Sequence, residues 1–389
     1  MTPVLSLSNT SQFISGFYCF PNETSCFFGI VVFAKRYDSE YLFPYRKIIN
    51  APQLVWSANR DRPVEVNATL KFTGNGDLIL EDADGNMVWS TDTGGKSVTG
   101  LRLTEFGNLV LFDRNNMTVW QSFDHPTDSL LPGQKLVYGQ KLMARTSSSD
   151  FRRGLFSLSV QDVSLIGYLE TNPPLVYYKS LLVGFQNFRN SKEANVAFEN
   201  RSFNGQNIPL GSRAQFMRLE PDGHLKVYGW GGAEWETVAD LLTSDISDCG
   251  YPMACSKYGI CSNGTCGCLG NFGQISYKQP NVGCSLVTPI SCDYSQYHSL
   301  LEIKNTSYFA ISKWLENYQL AEKTGLEDCK NRCLRNCSCK AALFTVPDQL
   351  FYNSWRSCLM ISEVFSLIST EGDSRTSTDR RVESLLWSA

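Results

Sequence analysis

Apolar and polar positions alternate along residues 70–122, and the alternation is written twice. Leu70-Lys71-Phe72-Thr73-Gly74-Asn75-Gly76-Asp77-Leu78-Ile79-Leu80 returns 31 positions later as Leu101-Arg102-Leu103-Thr104-Glu105-Phe106-Gly107-Asn108-Leu109-Val110-Leu111. Each copy closes on a tryptophan, Trp89 and then Trp120. Period-two alternation between Gly, Asn and Asp turns predicts short, half-buried strands. Asp84-Gly85 and Asn115-Asn116 supply residues that accept positive φ where a hairpin must turn. A third copy lies upstream, where Leu54-Val55-Trp56-Ser57 aligns with Met87-Val88-Trp89-Ser90 and Thr118-Val119-Trp120-Gln121. A unit repeated at a fixed period cannot bury its apolar face alone and packs on its copies. Trp56, Trp89 and Trp120 are therefore expected to form the shared centre of three sheets, rather than three unrelated core sites.

The rest of the chain continues this pattern before departing from it. Phe13 to Tyr18 and Cys26 to Phe33 read as strands, and Pro132-Gly133 marks the end of the first domain. Thr146 to Asp150 is a polar connector. Gly154 to Val160 and Leu175 to Tyr178 are again strands. Leu219-Glu220-Pro221-Asp222-Gly223-His224-Leu225-Lys226-Val227-Tyr228 echoes the repeat, with Trp235 in the tryptophan place. An unrelated β-sandwich is the alternative for that span. Gly325 to Cys337 changes to a helical pattern, with Cys329 and Cys333 one turn apart on one face. The tail from Glu371 to Ala389 is charged and rich in Ser and Thr, and is expected to be disordered.

Composition narrows the setting. The 389 residues are 42% hydrophobic, enough for two to four globular domains. The net charge of −3 and the scattered basic residues recommend neither nucleic acid nor an anionic membrane as a partner. Fourteen cysteines, twelve of them between Cys249 and Cys358, point to oxidised bridges in an extracellular protein. Zinc is the weaker alternative, with three histidines and no paired C-x-x-C groups. Eight sequons point to the same compartment: Asn9, Asn22, Asn67, Asn116, Asn200, Asn263, Asn305 and Asn336. The apolar run from Cys26 to Ala34 is too short to span a bilayer. No secretory leader precedes Thr2, so a secreted form would be a mature fragment or an incomplete gene product.

Two long stretches resemble known signatures. Val55-Trp56-Ser57-Ala58-Asn59-Arg60-Asp61-Arg62-Pro63-Val64 and Trp120-Gln121-Ser122-Phe123-Asp124-His125-Pro126-Thr127-Asp128-Ser129-Leu130-Leu131-Pro132-Gly133 resemble the bulb-type lectin domain of plant S-locus glycoproteins and of the ectodomains of G-type lectin S-receptor-like serine/threonine-protein kinases. The resemblance implies a mostly β chain: a bulb-type lectin β-prism over 1–135, a second lectin-like domain over 151–242, an EGF-like module over 249–284 and an α+β PAN/apple domain over 292–368, with the tail over 369–389 expected to be disordered from its composition. Cys19 and Cys26 are expected to bridge across a short loop. The family order would pair Cys249 with Cys261, Cys255 with Cys266 and Cys268 with Cys284. In the PAN/apple domain it would pair Cys329 with Cys358 and Cys333 with Cys339, leaving Cys292 for Cys337. Ser247-Asp248 departs from the calcium-binding version of the EGF module, so no metal and no cofactor is expected.

The same resemblance implies ligand recognition outside a plant cell, as the ectodomain of a receptor-like kinase whose kinase is missing here. A secreted, kinase-free relative is the alternative. The partner would be a glycan or a peptide, with receptor homodimerisation a further expectation and membrane contact only through a missing transmembrane segment. Bulb lectins hold mannose with Q-x-D-x-N-x-V-x-Y on one strand, where Gln, Asp and Asn offer donors and acceptors to vicinal hydroxyls and Tyr closes the edge. The resemblance places Thr104, Phe106, Asn108, Val110 and Phe112 on that motif, with only Asn108 and Val110 matching. Thr73, Asn75, Asp77, Ile79 and Glu81 stand there in the first repeat, with no strict match. Glu220, Asp222, His224, Lys226 and Tyr228 stand there in the later echo, where Asp222 and Tyr228 match. The candidate ligand-binding residues are thus Asn75, Asp77, Glu81, Asn108, Asp222 and Tyr228, and mannose binding is expected to be weak or absent. His125, His224 and His298 stand beside no nucleophile motif, and Gly229-Trp230-Gly231-Gly232 lacks a phosphate-loop lysine, so no catalytic residue is expected.

Overall fold

A computed structural model describes residues 2–6, 12–19, 25–35, 49–183, 193–199, 202–208, 214–269, 272–286, 299–303, 306–309, 322–345, 357–369 and 382–388. Two compact units divide the chain: Met1–Glu170 with Lys179–Leu241, and Thr171–Tyr178 with Leu242–Ala389.

Three antiparallel sheets open the first unit. Thr2–Ser6, Phe13–Cys19, Ser25–Lys35 and Ile49–Ser57 pair in sequence order, with Val64–Glu65 added to the third strand. Thr69–Phe72, Leu78–Glu81 and Met87–Ser90 make the second sheet, and Val98–Leu103, Leu109–Asp113 and Thr118–Gln121 the third. Their inward residues alternate with solvent-facing ones, as Leu78 and Leu80 are buried while Ile79 and Glu81 are not. Those inward side chains, Phe28, Ile30, Leu80 and Leu111 among them, join one core with Trp56 and Trp120, against which Trp89 packs. The three indoles stand 5.8 to 6.1 Å apart, each edge-on to the next. Trp56 Nε1 donates to the His125 carbonyl (2.8 Å), and the His125 ring stacks on Trp120 at 5.2 Å. That contact gives the sequon-free signature histidine a packing role.

The second half of this unit is woven into the first. Ser129–Leu130 pairs with Ala214–Leu219, which continues through Leu225–Trp230 to Trp235–Asp240. Lys141–Arg145, Arg153–Gln161 and Ser164–Leu169 form a further antiparallel sheet. Buried cations fasten these layers. Arg60 donates to the carbonyls of Phe151, Met143 and Ala144. Arg218 donates to Gln53 Oε1, the Leu54 carbonyl and Ser129 Oγ, and Arg145 reaches Asp128 at 2.7 Å. Burial lowers Arg218 to about 10. Burial alone would raise the Asp128 carboxyl, but Arg145, Arg218 and Arg60 outweigh it and hold the group below the usual carboxylate range.

In the second unit, disulfides stand in for a large apolar core. Cys249–Cys261, Cys255–Cys266 and Cys268–Cys284 are bonded, as are Cys329–Cys358 and Cys333–Cys339. Cys19–Cys26 joins facing strands in the first unit. Cys337 is disulfide-bonded, and Cys292 lies outside the described residues. Leu326–Arg335 is helical, with Glu327 and Asp328 in its first turn and Arg332 and Arg335 in its last, the arrangement its dipole favours. Its buried face carries Cys329 and Cys333 onto Ala342, Phe344 and Cys358. The hairpin Gly259–Ser262 and Thr265–Cys268 shares a sheet with Leu367–Ser369 and Thr306–Tyr308, so the two cysteine-rich stretches are bonded by backbone.

One expectation needs correcting. The tail over 369–389 is not structureless throughout, because Val382–Ser388 is a strand between Ser299–Ile303 and Ala341–Thr345. Val382, Leu385, Leu386 and Trp387 give that short run enough apolar and β-branched character for a strand, which the surrounding charge and Ser/Thr content obscures. Residues 370–381 lie outside the described set.

Candidate functional site

The positions aligned with the sugar motif run from one tight turn into the following strand, and the turn is built three times. Thr73 N–H donates to the Asp77 carbonyl, Thr104 to Asn108 and Glu220 to His224, each at 2.8 Å. Gly76, Gly107 and Gly223 then donate to Thr73, Thr104 and Glu220, each at 3.0 Å and with φ between 82° and 92°. Only glycine holds that conformation without strain, so the repeat in the sequence is a repeat in backbone geometry. The three turns present the same five positions on three separate sheets.

The side chains at those positions are largely engaged with their own sheets. Asp77 accepts from Ser90 Oγ (2.6 Å), Thr91 Oγ1 (2.7 Å) and the Thr93 N–H (3.1 Å). Partial burial works against its charge, but these bonds win and hold the carboxyl below its ordinary value. Asn108, buried, donates to Gln121 Oε1 (2.9 Å) and accepts from Ser122 Oγ (3.2 Å) and the Phe123 N–H (3.3 Å). Asp77 and Asn108 thus do the same work 31 residues apart, and Leu78 and Leu109 donate in parallel to Thr91 Oγ1 and Ser122 Oγ. In the third copy His224 Nδ1 lies 2.6 Å from Asp240 Oδ2. These second-strand partners escape a strand-by-strand reading, although the 31-residue offset carries Ser90 onto Gln121 and Thr91 onto Ser122.

The remaining candidates differ in exposure. Asn75 is exposed and accepts from Thr73 Oγ1, while Glu81 is half-buried and pairs with Lys71. Asp222 is exposed and accepts from the His224 N–H (3.2 Å). Tyr228 donates to Glu220 Oε1 (2.8 Å), tying the first and last motif positions together. Burial, then the charge of Glu220 and that bond, pushes the Tyr228 phenol well up. Phe216 stacks on Tyr228 at 5.0 Å and Arg218 lies over both rings. In the second repeat Phe112 lies across Gly100, where any Cβ would stand 2.6 Å from its ring, and the Arg102 guanidinium sits 5.0 Å over it. The candidates therefore sit on three sheets: Asn75, Asp77 and Glu81 on one, Asn108 on the next, Asp222 and Tyr228 on the third.

Sequons at Asn67, Asn116, Asn263 and Asn336 are exposed, and those at Asn9, Asn22, Asn200 and Asn305 lie outside the described residues. Among the described residues no group of three or more His, Cys, Asp or Glu has metal-binding geometry, and no helix is long and apolar enough to cross a membrane.

Residues 53–149 match the family model of the D-mannose binding lectin, and residues 304–361 that of the PAN-like domain. EP1-like glycoprotein 4 of Arabidopsis thaliana is 30% identical over 357 residues, covering 82% of this chain and 75% of that protein. The epidermis-specific secreted glycoprotein EP1 of Daucus carota is 30% identical over 304 residues, covering 66% of this chain and 76% of that one. A G-type lectin S-receptor-like serine/threonine-protein kinase of Arabidopsis thaliana is 26% identical over 353 residues, covering 82% of this chain and 37% of the kinase.

Proposed function

The chain belongs to the EP1-like glycoproteins, and from that membership we propose that it recognises a glycan or peptide outside the plant cell and catalyses nothing itself. What supports this reading is the repeated turn, which presents polar motif positions on three sheets, two of them within the residues that match the lectin family model. The bonded cysteines and the relative named as secreted support an extracellular setting. The kinase relative favours an ectodomain role, in which binding is passed to a cytoplasmic Ser/Thr kinase. The long match to EP1-like glycoprotein 4 favours the secreted, kinase-free role. Detection of a transcript that continues into a membrane span and a kinase separates the two.

Within this proposal, residues 1–170 and 179–241 act as one recognition body. Ligand contact falls to Asn75 and Glu81 on one sheet and to Asp222 and Tyr228 on another. Asp77 and Asn108 serve the fold, since their hydrogen-bonding capacity is spent on Ser90, Thr91 and Gln121. Mannose binds weakly or not at all. Phe106 and Phe112 offer no hydrogen bond where the motif needs a carboxylate and a phenol, and an unpaired sugar hydroxyl is costly. Titration calorimetry of the glycosylated chain with mannose and mannobiose should show no saturable binding at micromolar sugar. Saturable binding at micromolar sugar would overturn this. A binding screen against glycans, peptides and microbial extracts, with light scattering for self-association, identifies the ligand.

A further inference from the structure

The hairpin joining Leu109–Asp113 to Thr118–Gln121 carries the sequon Asn116-Met117-Thr118. Its turn is tightly specified: Asp113 N–H donates to the Met117 carbonyl (3.0 Å) and Asn116 N–H to the Asp113 carbonyl (2.9 Å). Asn116 takes the left-handed position, φ 61°, that Gly85 takes in the preceding repeat. Asparagine tolerates that conformation better than other side chains. Thr118 pairs directly with Phe112, which puts both side chains on one face of the sheet. Arg102 is diagonal to Phe112 on the same face, because it pairs with Val110. Its guanidinium covers the Phe112 ring and its Nη1 donates to Asn116 Oδ1. Asn116, Arg102 and Phe112 are therefore one continuous, solvent-reachable patch, with the acceptor amide at its edge.

We propose that Asn116 carries an N-linked glycan whose first N-acetylglucosamine lies against the Arg102–Phe112 stack, so that the chain's own sugar covers the motif face of the second repeat. Glycosylation forms a bond from Asn116 Nδ2 to C1 of the sugar and breaks the bond from C1 to the lipid diphosphate donor. The diphosphate leaves, and Nδ2 loses one proton. Oδ1 is untouched by this step, so in the folded hairpin it still accepts from Arg102, which aims the sugar back over the sheet. Phe112 offers ring surface to the apolar face of the sugar, and Arg102 has further N–H groups for its hydroxyl or acetamide oxygens. Phe112 stands where a bulb lectin has its closing tyrosine, so a strand that lost free-mannose chemistry holds a tethered sugar instead. A tethered ligand needs little affinity, since its effective concentration is high. The inference goes beyond the recognition reading and stands on the hairpin whether or not that reading holds. It also predicts that external ligands reach the other two motif faces.

The test uses the full chain secreted from mammalian cells, as wild type, Arg102→Ala and Phe112→Leu. Glycopeptide mass spectrometry reads occupancy at Asn116, and a peptide-N-glycosidase acting on the native protein reads accessibility. Asn116 should be occupied, and its glycan should be released about threefold to tenfold more slowly from wild type than from either variant, the scale of one exposed stacking contact. The difference should vanish after denaturation. Arg102 is exposed, so its variant carries the comparison if Phe112→Leu is not secreted. An unmodified Asn116, or native release at one rate from all three proteins, overturns the proposal.

Discussion

Asp128 shows how a single side chain holds the first unit. Its carboxylate and Arg145 are each 6% exposed, and Arg60 and Arg218 stand near enough to act on the same charge. Removing one partner of a buried pair leaves the other uncompensated, at about 3–5 kcal/mol. Asp128→Ala should lose that much in chemical denaturation at neutral pH. The pH dependence has a definite sign. A folded-state value below the unfolded one of about 3.9 means that the unfolded chain binds the extra proton, so stability is lost as pH falls through that window. The gap between wild type and Asp128→Ala should be constant from neutral pH to about 5 and should shrink as pH falls below about 4. A gap that shrinks between pH 7 and 5 would mean that the carboxyl is not held low. At this scale the motif positions were legible in the sequence, and their satisfaction was not. Asp77 reads as a sugar ligand until pairing of Leu78–Glu81 with Met87–Ser90 brings Ser90 and Thr91 onto its carboxylate.

Among elements, the repeated turns make a graded prediction. Gly85 and Gly107 both sit at positive φ, 84° and 82°. A Cβ at Gly85 meets nothing within 4 Å, whereas at Gly107 it would lie 2.7 Å from the Phe13 ring and 2.8 Å from Leu131. Gly85→Ala should therefore cost only the left-handed strain, about 1–2 kcal/mol. Gly107→Ala should cost a further ~1–3 kcal/mol, because the core must shift to admit it. Thermal unfolding of the two variants side by side checks the order, and equal losses would remove the argument. The turns were legible because Gly, Asn and Asp recur at one offset. The strand Val382–Ser388 was not, because seven residues inside a charged stretch carry too short a period to read. Its existence depends on two partners, Ser299–Ile303 and Ala341–Thr345, that are distant in sequence.

For the whole molecule, residues 1–170 and 179–241 behave as one unit. Arg60 bonds to carbonyls at 143, 144 and 151, and Arg218 to residues 53, 54 and 129. A chain cut after residue 150 should lose Arg218 and the Phe151 carbonyl together, leaving Asp128 and Arg60 with broken networks. Such a fragment should be secreted poorly and should unfold without a cooperative transition, while 1–241 should unfold as one step. Two separated transitions in 1–241 would contradict this. Sequence periodicity exposed the repeat inside the first span, but the fastening between spans rests on single buried arginines that carry no periodic signal. In the second unit the C-terminal strand has a temporal consequence. A ribosome delivers Val382–Ser388 after both strands it lies between, so Ala341–Thr345 waits with one open edge and Ser299–Ile303 waits with no strand partner. At about 5–20 residues per second, that wait after Ile361 emerges is on the order of seconds. During it the cysteines of the helix can already be oxidised, while the sheet they anchor still offers bare backbone to any passing strand. The sheet of this unit therefore cannot close before its last strand arrives, whatever the state of its thiols.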